Sequence, residues 1–172
     1  MAANEIFPIV TPDGVVTGSA TRAECHSGSK LLHPVVHLHI LSRDGRVYLQ
    51  KRSMSKDIQP GKWDTAVGGH VDYGEETETA LFRETREELG LTGFVPTAVT
   101  RYVFESTVEK ELVNVFATVV EDGFSADFDP VEIDDARFWS IAEIENAIGK
   151  GMLTPNFEQE FSRIRNKLKE LL

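Results

Sequence analysis

Glu84, Glu87 and Glu88 are spaced i, i+3 and i+4. On a helix turning about 100° per residue they fall within an arc of about 100°. Carboxylates so crowded repel one another and raise each other's pKa unless a cation neutralises them. A hard divalent ion suits such oxygen donors: Mg2+ (or Mn2+) takes a few carboxylates and keeps room for waters and phosphate oxygens. Arg83, beside Glu84 and one turn before Glu87, is placed to orient a carboxylate.

The surrounding residues predict how these groups are held. Gly68-Gly69 permits positive φ and close backbone approach, so the chain can bend there and leave the Gly69 carbonyl facing a ligand. Glu75 and Glu76 suit the positive end of a helix and Gly90 suits a left-handed stop, which predicts a helix over Glu75 to Leu89. Leu81, Phe82, Thr85 and Leu89 form the neighbouring face that packs. Upstream, Glu5 to Val10 and Val15 to Ser19 read as a hairpin turning at Asp13-Gly14, and Pro34 to Ile40 with Val47 to Lys51 as a second. Thr97 to Phe104, Leu112 to Val120 and Ala136 to Trp139 read as strands. Ile141 to Ile148 and Asn156 to Leu172 read as helices, the last with an apolar stripe of Phe157, Phe161, Ile164, Leu168, Leu171 and Leu172. Strands bracketing helices imply an α/β/α sandwich on a mixed sheet.

Residues 69 to 91 hold one further regularity: Gly69, Glu75, Arg83, Glu84, Glu87, Glu88 and Gly90 resemble the Nudix box, Gly, five residues, Glu, seven residues, then Arg-Glu-x-x-Glu-Glu-x-Gly. Every charged and glycine position matches. Thr85 departs, standing where the family usually has a bulky aliphatic residue. The resemblance implies a MutT-like pyrophosphatase fold and activity, with Glu84, Glu87 and Glu88 as metal ligands, the Gly69 carbonyl completing the shell, and Glu75 acting through Arg83. It makes Glu84 the first candidate for general base, with Glu109 or Glu111 second.

Composition fits one enzyme domain over residues 1 to 172, with residues 1 to 30 as an N-terminal hairpin extension. A formal charge of -10 opposes broad binding to nucleic acid or anionic membranes, so the partner expected is a small-molecule diphosphate. No apolar run approaches a membrane span, the first residues do not read as a signal peptide, and the lone Cys25 fits a reducing compartment, which together predict a cytoplasmic protein. The N-terminal hairpin offers an edge for a homodimer.

Lys51, Arg52 and Lys56 lie at the end of a strand and in its loop, one short loop upstream of the box. Arg grips phosphate oxygens bidentately and Lys adds a point charge, so these three are the candidate substrate-binding cations. More narrowly, residues 26 to 111 resemble the isopentenyl-diphosphate isomerase branch of the Nudix superfamily. His26, His33, His70, Glu109 and Glu111 match five residues that hold a divalent metal there, and Arg52 and Lys56 match its diphosphate contacts. Three imidazoles with two carboxylates suit Zn2+, Mn2+ or a similar ion, a candidate second metal. The isomerase also uses a cysteine two residues before the third histidine, where this chain has Gly68. The leading expectation is therefore Mg2+-dependent hydrolysis of a nucleoside diphosphate derivative or related organic diphosphate. Isomerisation is the alternative, and a noncatalytic diphosphate sensor the third reading. His37 and His39 share strand parity with His33 and match nothing in the branch; they are read as structural.

Overall fold

The computed structural model describes residues 5 to 172. In chain order the elements are β1 (Ile6–Val10), β2 (Val16–Thr21), α1 (Arg22–Cys25), β3 (Leu32–Ser42), β4 (Val47–Arg52), β5 (Trp63–Thr65) and β6 (Val67–His70). There follow α2 (Thr77–Leu89), β7 (Thr97–Glu105), β8 (Lys110–Val120), β9 (Ile133–Trp139), α3 (Ile141–Ala147) and α4 (Pro155–Lys169). β1 and β2 form the separate antiparallel hairpin. The remaining strands make a seven-stranded mixed sheet ordered β5-β4-β3-β8-β7, with β6 also on β3 and β9 also on β4. β3 and β8 run parallel along their whole length, from Leu32 against Lys110 to Ser42 against Val120, and every other pairing is antiparallel.

Alternation along β3 divides the core in two. Val36, Leu38 and Ile40 join Ala80, Leu81 and Leu89 of α2 on one face. Val35 and Leu41 join Ile144 of α3 and Phe157, Phe161, Ile164 and Leu168 of α4 on the other. This is the expected α/β/α sandwich, and each fully buried side chain of this kind contributes about 1.5–3 kcal/mol. β3, lined with apolar residues on both faces, is thus the fixed reference from which the site is built.

Caps and turns fix the helices. Gly90 ends α2 in the left-handed region at φ 67°. Pro155 opens α4 behind a Thr154 cap whose oxygen accepts from the Phe157 N–H at 3.1 Å, while its hydroxyl donates to Asp64 of β5 at 3.1 Å. Thr85 is buried and returns its hydroxyl to the Leu81 carbonyl at 2.7 Å, so its polar atom is satisfied within the helix.

Several expectations need correction. α2 starts at Thr77 rather than Glu75, because the Glu75 carboxylate is engaged by the Asp72 N–H and by Arg83. Gly68 and Gly69 do not turn the chain; they lie inside β6, paired with His37 and Val36, and neither has positive φ. Phe82 is 39% exposed, resting on Phe94 at the margin of the core. α4 stops at Lys169, so Leu172 is exposed, and its buried stripe contains a charged residue, Glu160, between Phe157 and Phe161. Among the described residues, no helix is long and apolar enough to cross a membrane.

Candidate active site and metal centre

Gly69 of β6 lies against Glu84 of α2. A β carbon at position 69 would collide with the Glu84 carboxyl group, so any side chain there displaces Glu84 from its seat. Arg83 is the organiser. Its Nε and Nη2 donate to the two Glu75 oxygens at 2.9 Å each, Nη2 also to the His70 carbonyl at 3.0 Å, and Nη1 to Glu84 at 2.8 Å. Glu87 lies 3.5 Å from the same guanidinium and is half exposed. The anchor holds the Glu75 carboxyl below the usual carboxylate range, chiefly through the Arg83 hydrogen bonds.

Glu84 and Glu88 behave differently. Burial pushes both carboxyls up, Glu88 well above the usual range; the Glu84 charge adds to the shift of Glu88, while Arg83 only partly offsets the burial of Glu84. Gln50 donates to Glu88 Oε1 at 3.2 Å, while Glu88 Oε2 is buried with no partner among the described residues. A buried oxygen pair that resists ionisation, with one atom unsatisfied, fits a hard divalent cation; Glu84 and Glu88, with the Gly69 carbonyl and Glu87 at the rim, are the residues that would hold it.

Lys51 and Arg52 end β4, and Lys56 lies in the loop that leads to β5. Arg52 donates from Nε to the Ile58 carbonyl at 3.1 Å and lies 3.6 Å from Asp64. Lys56 reaches Glu132 at 2.6 Å, and Lys51 is half-buried in β4 opposite Trp63 and Asp135. Two of the three are thus already turned toward protein oxygens.

Four of the five members of the predicted His/Glu constellation come together, and Glu111 lies just outside the group. Ligand atoms of His26, His33, His70 and Glu109 all lie within 4.8 Å of one another, the one such group of three or more among the described residues. His26 Nε2 is 2.9 Å and His33 Nε2 3.8 Å from Glu109 Oε2, and Glu111 stands 4.0 Å from His33. The short His26–Glu109 approach lacks hydrogen-bond geometry, and Nε2 of all three histidines and Oε2 of Glu109 are buried with no hydrogen bond among the described residues. An ion with bonds of about 2.1 Å spaces its donors about 3–4 Å apart, so four convergent orphans fit a borderline transition ion. Burial, the largest cause for each, lowers the pKa of His26, His33 and His70, favouring the neutral ligating form. Burial raises Glu109, and raises Glu111 to about 7.

The elements that assemble this centre come from the whole first two-thirds of the chain. His26 follows α1, whose Thr21 and Glu24 form a reciprocal cap. His33 and Glu111 are paired across β3 and β8, and His70 ends β6 opposite Val35. Phe7 of the hairpin, fully buried, stacks on His70 with centroids 4.4 Å apart and planes 3° from parallel. Ile6 accepts from the Tyr73 N–H at 2.8 Å, so β1 is tied to the loop after β6.

One group was not anticipated. The Glu160 carboxylate, 1% exposed, accepts from His37 Nδ1 at 2.8 Å, His39 Nε2 at 2.5 Å and the Tyr102 hydroxyl at 2.5 Å. Burial works against ionisation of both Glu160 and His37. Their mutual charge and hydrogen bonds win, holding Glu160 well below the usual range and lifting His37 to about 9. The signal was present: Glu160 lies three residues after Phe157 and four before Ile164, on the buried stripe itself.

A mixed sheet between helices, with a glutamate-bearing helix under a glycine strand, defines a class of α/β/α sandwich. The NUDIX domain model matches residues 31–157, and the chain belongs to that family. An isopentenyl-diphosphate Delta-isomerase of Kocuria rhizophila is 32% identical over 80% of this chain and 85% of its own length. Another from Streptomyces griseus is 27% identical over 96% and 86%. Among solved structures, a Deinococcus radiodurans protein superposes with a TM-score of 0.79 at 22% identity, covering 93% of this chain and 99% of that one. A MutT protein from Methanosarcina mazei gives 0.65 at 26% identity, covering 79% and 94%.

Proposed function

We propose that this protein hydrolyses a diphosphate linkage in a small organic diphosphate, with nucleoside diphosphate derivatives the first class to test, and that it requires a divalent metal. The observation that carries the reading is the complete carboxylate set on α2, with Glu84 seated under Gly69 and Glu88 buried with an unsatisfied oxygen. Mg2+, when bound there, supplies Lewis-acid stabilisation of the phosphoryl charge and a more acidic water. Glu84, seated under Gly69, is the first candidate to accept the proton of the attacking water, with Glu109 or Glu111 second. Glu87 and Glu88 contribute negative oxygens to the cation, and Arg83 holds the set in register from Glu75. Arg52, Lys56 and Lys51 take up substrate phosphate, Arg52 and Lys56 by leaving Asp64 and Glu132. The His26, His33, His70, Glu109 and Glu111 cluster holds a second metal, and the hairpin belongs to the same functional unit because it covers that cluster.

Isomerisation of an isoprenoid diphosphate is the second reading, favoured by the names of the relatives at 27–32% identity. Against it, position 68 offers no thiol for proton transfer at carbon. A panel of nucleotide sugars, dinucleoside polyphosphates, nucleoside diphosphates and isopentenyl diphosphate, each with Mg2+ and with Mn2+, separates the readings. Metal-dependent release of phosphate, or of a nucleoside monophosphate, supports hydrolysis. Conversion of isopentenyl to dimethylallyl diphosphate without phosphate release would replace it, and no consumption of any member would overturn both.

A further inference from the structure

We propose that a second copy of this chain docks on the free edge of β7, the two strands pairing antiparallel about a two-fold axis at Val103 and joining two sheets into one. This interface is independent of the diphosphate reading above.

β7 is the outermost strand on its side of the sheet and pairs only with β8 among the described residues. The Ser106 N–H turns inward to the Glu109 carbonyl at 2.9 Å. By the alternation of an antiparallel ladder, the backbone groups of Glu105, Val103 and Arg101 therefore turn outward. Two lysines mark the ends of this row. Lys167 reaches the Val99 carbonyl at 3.4 Å, beside the bulge between Ala98 and Thr100, and Lys30 donates to the Ser106 carbonyl. Lysines and bulges are the usual guards of a sheet edge. Between them, residues 101 to 105 keep unbroken register with β8 and leave a row of backbone groups open to another strand.

The side chains of this segment say which strand fits. In a two-fold antiparallel pair centred on Val103, Arg101 of each copy stands opposite Glu105 of the other, and the two valines face each other. Arg101, Val103 and Glu105 are all exposed, and strand alternation puts them on one face. Glu105 is held by Lys30 of its own chain at 3.1 Å and is still half exposed, which leaves an oxygen for the incoming guanidinium. On the other face Tyr102 stands opposite Phe104 of the second copy, an aromatic cross-strand pair that the symmetry repeats. The remaining outward-turned residues make poor centres. A pair centred on Arg101 or on Glu105 would set like charges face to face. The edge is thus complementary to itself in one register, which favours a second copy over an unrelated strand.

Sedimentation equilibrium of the full chain over a wide range of protein concentration tests this, with thermal melting as the check on folding. The wild type should be dimeric at the upper end of the range. Arg101→Glu and Glu105→Arg each set like charges opposite one another at both contacts, so each should weaken dimerisation about tenfold or more. Mixed in equal amounts, the two variants carry opposite charges at both contacts and should associate with each other more tightly than either does with itself. A wild type that stays monomeric throughout would overturn the interface. So would a dimer that both substitutions leave as tight as wild type, or a mixture that associates no better than the separate variants. Should either variant melt well below wild type, Val103→Lys decides in its place, since it sets two ammonium groups face to face at the axis. Weakened association would then support the interface, and association at the wild-type level would refute it.

Discussion

The Glu84 carboxyl group occupies the volume that a side chain on residue 69 would need. Two positions fifteen residues apart in sequence, one in β6 and one in α2, are therefore a single packing unit. The glycine and the glutamate are two halves of the same site.

Gly69→Ala should accordingly act as a catalytic lesion. The methyl forces Glu84 away from the strand or the strand off α2, with a stability cost of about 1–3 kcal/mol, as in other overpacked cores. Chemical denaturation measures the cost, and metal-dependent turnover should be lost well beyond it. A Gly69→Ala protein with unchanged turnover would show that Glu84 does not work from this seat.

Glu87→Gln probes the exposed ligand without disturbing the core, since Glu87 is half exposed and its nearest partner is Arg83 at 3.5 Å. Turnover should fall about a hundredfold or more, on the scale of lost metal-site residues, with little change in melting temperature. Rates near wild type would remove Glu87 from the ligand set.

The histidine cluster is tested by metal content. Protein purified without chelators should carry a tightly held transition ion, and His26→Ala or Glu109→Gln should lower its occupancy in elemental analysis. Both residues are only partly buried, so the fold should survive. Wild-type protein that stays metal-free after exposure to Zn2+ and Mn2+ would leave the cluster as a polar core element.

The Glu160 network predicts a stability profile with pH. His37 is lifted from 6.5 to about 9, so its contribution is complete below about 6.5 and drains away as pH rises through about 9. Glu160 is held well below its ordinary 4.5, so its contribution is complete above that value and is lost only as pH falls below it. Melting temperature should therefore decline between pH 6.5 and 9, and Glu160→Gln should lower the plateau and flatten that decline. An alkaline slope identical in both proteins would count against the pair.

Much of this was legible in the sequence because it is local. The spacing of Glu84, Glu87 and Glu88 and the stop at Gly90 lie on one helix, so periodicity alone places them. The reason for Gly69 was misread: a turn was expected, whereas the residue is extended and its constraint comes from a side chain on α2. Nothing local to Gly68-Gly69 encodes that approach. Glu160 was missed for the same reason. Its partners at His37, His39 and Tyr102 are 58 to 123 residues away, and the apolar stripe around it suggested only packing. The His26, His33, His70 and Glu109 cluster was reached through resemblance, since spacing in the chain does not reveal that β3, β6 and β8 deliver them to one point.

The stack of Phe7 on His70 has a practical side. The family match begins at residue 31, which leaves both Phe7 and His26 outside it. A protein shortened to the matched span would keep its sheet and α2 yet surrender one imidazole of the cluster and the ring that shields another. Anyone trimming this chain for expression would remove a piece of the chemistry along with what looks like a dispensable leader.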